Sequence, residues 1–199
     1  MVKIKICGLS RNCDIDAVNI ERPEYIGFVF ARSRRRVTPK QALDLRKKLH
    51  HGIIPVGVFV DDTLENILSL VKNGIIEVIQ LHGLEDEEYI SRLKMSTDVP
   101  IIKAVAVQSE SDLQKWLGTS SDYLLLDSIG GGTGNRFDWN FIGKIDKPFF
   151  LAGGLNPENV AQAIKDTTPF AVDVSSGVET DGLKDPLKIK EFIRSVRNA

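Results

Sequence analysis

Eight short apolar runs rich in β-branched residues recur along the chain, each followed by a loop and most by a longer amphipathic stretch. They are Lys3–Cys7, Tyr25–Phe30, Ile54–Val60, Glu77–His82, Ile101–Val105, Tyr123–Asp127, Phe149–Ala152 and Phe170–Val174. Most are nearly continuous in apolar character, as parallel strands covered on both faces are. The first alternates instead, with Lys3 and Lys5 between Val2, Ile4 and Ile6, and reads as a strand with one charged edge.

Between the runs the apolar spacing changes to three and four. Pro39–Leu49 carries Ala42, Leu45 and Leu49 on one face, with Thr38 placed to cap it. Thr63–Val71, Glu85–Leu93, Ser111–Leu117 and Pro186–Val196 repeat the pattern. Asn156–Ile164 opens with Asn156-Pro157, a cap followed by proline at the first helical position. Cys13 falls in a first helix, and Asp138–Ile142 supplies little more than one turn after the sixth run. Strand–helix alternation predicts a parallel sheet with right-handed crossovers. Eight units at about 25 residues each in 199 residues favour an α/β fold closed as a single (β/α)₈ TIM barrel spanning 1–199, smaller than the usual ~250 residues. Periodicity alone also admits an open doubly wound sheet.

Composition narrows the function. The hydrophobic share is 42% and the charged share 27%, average for a globular domain, so disorder is not expected. Lys and Arg number 26 against 27 Asp and Glu, which removes the basic excess of a nucleic-acid binder or an anionic-membrane binder. No apolar run approaches the ~20 residues of a membrane span, and the N-terminus lacks a secretory signal. Cys7 and Cys13 fit neither a disulfide framework nor a zinc site. A cytoplasmic protein with reduced thiols is expected, as monomer or homodimer, with no metal.

In a barrel, chemistry sits at the C-terminal ends of the strands. Cys7 ends the first run, Arg32, Arg34, Arg35 and Arg36 follow the second, and Asp61 and Asp62 the third. Gln80 and His82 end the fourth, Lys103 lies in the fifth, and Asp127 ends the sixth. Gly153 and Gly154 follow the seventh, and Asp173, Ser175, Ser176 and Gly177 end the eighth. Each has a plainer reading. Cys7 could be a small buried hydrophobe, the arginines a solvated loop, His82 a core residue, Lys103 the partner of a carboxylate inside the barrel, and the glycines tight turns. Convergence on one mouth favours chemistry. Gly153, Gly154 and Ser175-Ser176-Gly177 fall where barrels bind phosphate through exposed backbone amides. The glycine-rich Gly130–Gly134 suits a lid.

At this level of detail the chain resembles the phosphoribosylanthranilate isomerases of tryptophan biosynthesis. The matching segments begin with Lys5-Ile6-Cys7-Gly8, Gly27-Phe28-Val29-Phe30 with Ser33-Arg34-Arg35, Gly57-Val58-Phe59-Val60 and Gln80-Leu81-His82-Gly83. They continue through Leu125-Leu126-Asp127-Ser128, Gly131-Gly132-Thr133-Gly134 with Phe137-Asp138-Trp139, and Leu151-Ala152-Gly153-Gly154-Leu155. Asn156-Pro157-Glu158-Asn159-Val160 and Asp173-Val174-Ser175-Ser176-Gly177-Val178-Glu179 complete the series, in order, from residue 3 to about residue 192.

The resemblance implies an Amadori rearrangement of N-(5-phosphoribosyl)anthranilate to 1-(2-carboxyphenylamino)-1-deoxyribulose 5-phosphate, without cofactor or metal. It places Cys7 as general base, Asp127 as general acid, and Arg35, with Arg36 as its neighbour, at the anthranilate carboxylate. Asp173 would lie near the sugar hydroxyls, and Gly153, Gly154, Ser175, Ser176 and Gly177 would cradle the phosphate. Ala31-Arg32-Ser33 is a residue shorter than in many members, so the arginine register is set by the structure alone. For the base, a modest shift from the free cysteine pKa of ~8.5 would suffice. Two rivals remain on sequence: the histidine-pathway aminoaldose isomerases, which use two aspartates, and a non-catalytic phosphate-ligand sensor.

Overall fold

A computed structural model describes residues 1–107, 109–127 and 145–199. The expected lid at Gly130–Gly134 and the short helix at Asp138–Ile142 lie outside the described residues.

Eight parallel strands close into a barrel in sequential order. They are β1 (Lys3–Cys7), β2 (Tyr25–Val29), β3 (Ile54–Phe59), β4 (Val78–Leu81), β5 (Ile101–Ala106), β6 (Tyr123–Asp127), β7 (Phe149–Leu151) and β8 (Ala171–Val174). Pairing of β8 with β1, Lys3 against Ala171 through Ile6 against Val174, seals the ring and excludes the open sheet. The helices are α1 (Asn12–Glu21), α2 (Pro39–Arg46), α3 (Leu64–Lys72), α4 (Glu87–Lys94), α5 (Glu110–Gln114), α6 (Val160–Thr167) and α7 (Pro186–Arg197). None is long and apolar enough to cross a membrane, among the described residues.

Local chemistry sets most helix starts. Thr38 caps α2, accepting from the Gln41 amide at 3.2 Å while Gln41 Oε1 accepts from the Thr38 amide at 2.9 Å. Thr63 caps α3 in the same way, through the Asn66 amide. At α6 the expected start is moved. Asn156 Oδ1 accepts from the amides of Glu158 and Asn159, so Asn156-Pro157 forms a turn and the helix begins at Val160. Helix α1 has almost no apolar stripe. Its start is held by the buried Asp14 carboxylate, which accepts from the Ser10 and Arg11 amides and from the Arg11 guanidinium.

Two apolar layers follow from strand alternation. Outward residues such as Ile4, Ile26, Phe28, Leu124 and Val172 pack under the helices. Inward residues Tyr25, Val56, Val78, Ile102, Leu125 and Phe150 fill the barrel. Tyr25, Tyr123, Phe150 and Phe170 make edge and tilted ring contacts at the N-terminal end, a floor beneath everything above. The charged edge expected of β1 is not an edge. Lys5 points inward, is 0% exposed and pairs with Asp173, because the closed ring gives β1 a neighbour on each side.

After β8 the chain makes one 3₁₀ turn, Ser176–Val178, and a two-stranded hairpin of β9 (Glu179–Thr180) and β10 (Leu183–Lys184). Asp181 and Gly182, with φ of 51° and 78°, supply its two-residue turn.

Candidate active site

Alternation decides what reaches the barrel mouth. Counting inward from the floor, β1 presents Lys5 then Cys7, β6 presents Leu125 then Asp127, and β8 presents Ala171 then Asp173. Cys7, Asp127, Asp173, Gln80, His82, Arg35 and Ser175 line one cavity of about 350 Å³. So the thiol and the carboxyl, far apart in sequence, face the same space. Gly27, on the neighbouring strand, leaves room for the thiol: a Cβ there would lie 2.7 Å from Cys7 Sγ.

The thiol is not the lightly shifted cysteine the sequence led us to expect. Burial pushes the Cys7 pKa up, with the Lys5 ammonium opposing most strongly, Asp173 adding to the rise and Lys184 reducing it. In the free protein it is therefore a thiol at neutral pH. Lys5 donates to Asp173 Oδ1 at 2.9 Å. Burial alone would lower its pKa, but the charges of Asp173 and Cys7 more than offset this, and it is raised.

Across the mouth, His82 Nε2 lies 3.6 Å from Asp127 Oδ2, and Gln80 Nε2 lies 2.9 Å from His82 Nδ1. Burial pushes the His82 pKa down, helped by Lys5 and Lys103 and opposed by Asp173 and Glu85. The lowered pKa holds His82 toward the neutral imidazole, beside Asp127.

Lys103 is not a barrel-interior residue. It alternates with Ile102, which faces the barrel, and shares the phase of the outward-packed Ile101 and Val105. It does neutralise a buried carboxylate, donating to Glu85 Oε2 at 2.9 Å and to the Gly83 carbonyl at 2.7 Å.

The two arginine candidates separate. Arg35 lines the catalytic cavity, while Arg36, one residue on, bridges to Val29 and borders a different cavity with Phe30, Pro39 and Asn66. Gly8, at φ +83°, lets Arg35 pass, since a Cβ there would lie 2.5 Å from Arg35 Cδ. Arg35 is already engaged: Nε donates to Glu179 Oε1 at 2.6 Å and Nη2 to Oε2 at 2.9 Å.

Of the expected phosphate cradle, Ser175 borders the cavity and its hydroxyl donates to the Cys7 carbonyl at 3.1 Å. Gly153, Gly154, Ser176 and Gly177 are not among the residues that line it. The β7 and β8 loops meet backbone to backbone, for a Cβ on Gly177 would fall 1.9 Å from the Leu155 carbonyl oxygen. The Gly154 carbonyl accepts from Asn159 Nδ2 at 2.8 Å, which ties that loop to the start of α6.

Sequence reasoning passed over Lys5, Glu179 and Lys184. Lys5 stands two residues before Cys7, in phase with it on one strand, so a thiol facing the mouth puts Lys5 inside the barrel too. Asp181-Gly182 between short alternating segments is a hairpin signature that would have brought Lys184 back toward Glu179. Cys13 is an exposed residue of α1 away from the cavity. Among the described residues, no group of three or more His, Cys, Asp or Glu is arranged to hold a metal ion.

Comparison with known proteins bears on the family and the fold. The family model for N-(5'-phosphoribosyl)anthranilate (PRA) isomerase matches residues 4–195. An N-(5'-phosphoribosyl)anthranilate isomerase of Endomicrobium trichonymphae is 46% identical over 202 residues, covering 100% of both chains. The crystal structure of phosphoribosyl anthranilate isomerase from Thermotoga maritima superposes with a TM-score of 0.92 at 36% identity, over 100% of both chains. A phosphoribosyl anthranilate isomerase in complex with reduced 1-(o-carboxyphenylamino)-1-deoxyribulose 5-phosphate gives 0.88 at 36% identity, again over 100% of both. The chain belongs to the N-(5'-phosphoribosyl)anthranilate isomerase family.

Proposed function

We propose that this cavity converts N-(5'-phosphoribosyl)anthranilate into 1-(2-carboxyphenylamino)-1-deoxyribulose 5-phosphate, with Asp127 as acid and Cys7 as base. The observation that carries the reading is that both groups line one cavity together with Arg35 and Ser175.

The substrate is an aminoaldose with an anion at each end. Its phosphate enters the loops of Gly153-Gly154 and Ser175–Gly177, and its carboxylate meets Arg35. Binding energy at the two ends holds the ribose between the reacting groups. Asp127 then gives a proton to the furanose oxygen as the C1–O bond breaks, and the nitrogen lone pair forms a protonated C=N bond. This cation acidifies the C2 proton. It also favours loss of the Cys7 thiol proton to solvent, leaving the thiolate, since a nearby positive charge lowers a thiol pKa that burial has raised. Lys5, fixed by Asp173, adds to that field. The Cys7 thiolate takes the C2 proton, the electron pair moves into a C1=C2 enolamine, and tautomerisation gives the 2-ketone. No step draws on a metal or cofactor.

Arg35 rather than Arg36 is the carboxylate partner in this reading, supported by the cavity it borders. Purified protein supplied with freshly generated phosphoribosylanthranilate tests the proposal, read as loss of substrate fluorescence. Turnover is expected, with complementation of a tryptophan auxotroph that lacks the isomerase. Binding without turnover would instead indicate a sensor.

A further inference from the structure

Glu179 is nearly buried, its side chain 4% exposed, and it gathers three cations. Oε1 accepts from Arg35 Nε at 2.6 Å and from Lys184 Nζ at 2.5 Å; Oε2 accepts from Arg35 Nη2 at 2.9 Å and from Arg34 Nη2 at 2.6 Å. Lys184 is buried too, and reaches onward to the Ser175 carbonyl at 2.8 Å and the Ser175 hydroxyl at 3.2 Å. One carboxylate thus joins two residues that line the cavity, Arg35 directly and Ser175 through Lys184.

The chemistry of the fork matters. A guanidinium has five N–H donors on two usable edges. Glu179 takes the Nε/Nη2 edge with a bidentate pair, which fixes the plane of the group and leaves the Nη1/Nη2 edge for another carboxylate. Three cations against one carboxylate also leave the cluster positive, so Arg35 keeps its attraction for an anion despite the pairing. A plain structural ion pair would need one cation, not three, and would have no reason to link two residues that line the cavity.

We propose that Glu179, with Lys184, is a specificity-determining positioning residue that sets the separation between the carboxylate-binding and phosphate-binding ends of the cavity. This rests on the assignment of Arg35 to the substrate carboxylate. It selects phosphoribosylamines whose aromatic ring carries an ortho-carboxylate over those, such as the aniline derivative, that lack one.

The test compares wild type, Glu179→Gln, Arg35→Ala and the double variant on the anthranilate-derived and aniline-derived phosphoribosylamines. A glutamine amide cannot accept both arms of the fork. Glu179→Gln is expected to raise KM for the carboxylated substrate about tenfold or more, with kcat within about threefold, and to erode the preference over the aniline analogue. Added to Arg35→Ala, it should change that preference little further, because both act through one contact. If Arg35→Ala loses the preference and Glu179→Gln keeps wild-type KM and preference, the positioning role is wrong and the Arg35 assignment stands. If Arg35→Ala itself keeps the preference, the underlying assignment fails and this inference with it. Should Glu179→Gln not fold, Lys184→Met, which keeps the aliphatic stem, breaks the same bridge from its other side. It should weaken competitive inhibition by inorganic phosphate and raise KM; unchanged values of both would overturn the proposal.

Discussion

Lys5 and Asp173 are register partners on the two strands that close the barrel, and their side chains meet at 2.9 Å directly beneath the Cys7 thiol. Closure and chemistry share this pair. The sealed ring is what buries Lys5, and its buried charge is the strongest force working against the desolvation of Cys7.

Lys5→Met tests that relationship. Without the ammonium, the thiol loses the largest influence holding its pKa down, and Asp173 is left to push it higher still. The base limb of the kcat profile should move to higher pH, so turnover at neutral pH falls while turnover at alkaline pH is retained. A base limb unmoved in a folded Lys5→Met enzyme would show that Lys5 serves only to neutralise Asp173.

Cys7→Ser and Asp127→Asn remove the proposed base and acid. Each should lower kcat by at least about two decades, the range of a general acid–base contribution. KM should change far less, because the anchoring groups are elsewhere. A Cys7→Ser enzyme with near-normal turnover would falsify the base assignment. Near-normal turnover in Asp127→Asn would move the acid role to another group of the cavity.

Gly177 is where the β7 and β8 loops touch. An alanine there needs space occupied by the Leu155 carbonyl oxygen and cannot gain it by moving a flexible side chain. The loops must separate, at a cost of about 1–3 kcal/mol in stability. Ser175, two residues earlier, shifts with them. Gly177→Ala should therefore raise both KM and the inhibition constant of inorganic phosphate while kcat is largely kept. Unchanged phosphate inhibition would separate this glycine from the anion site.

How much of this was readable beforehand depended on the range of each interaction. Strand positions were legible because alternation and burial are local; all eight runs are strands within a residue or two of their expected ends. Cys7 and Asp127 could be placed at one mouth because barrel geometry puts every strand end there. The start of α6 was misplaced because Asn156 and Asn159 make competing turn contacts that Pro157 alone does not reveal. Lys5 and Lys103 were misread for another reason. Which side of a strand a lysine faces depends on strand phase and on closure: the apolar run around Lys103 carries no phase, and the alternation around Lys5 gives a phase without saying which face is inside. The Glu179 cluster joins residues 34, 35, 179 and 184, and no spacing rule links the first pair to the second.

Acid stability offers a check on that cluster independent of turnover. Burial would raise the Glu179 pKa, but hydrogen bonds from Arg35 and Lys184 and their charges outweigh it, so the carboxyl titrates below its ordinary value. Burial wins at Lys184 itself, whose pKa is lowered despite its partner. A folded-state pKa below the unfolded one means stabilisation that is full above about pH 4.3 and is lost as pH falls through the folded value. Glu179→Gln lacks that titration. Its stability deficit against wild type should be on the order of 2 kcal/mol at pH 7, in the range of hydrogen bonds to charged groups, and should narrow below pH 4. Urea midpoints measured from pH 7 to pH 3 would show the two curves converging. Curves that stay parallel over that range would mean that the Glu179 charge contributes nothing to the fold.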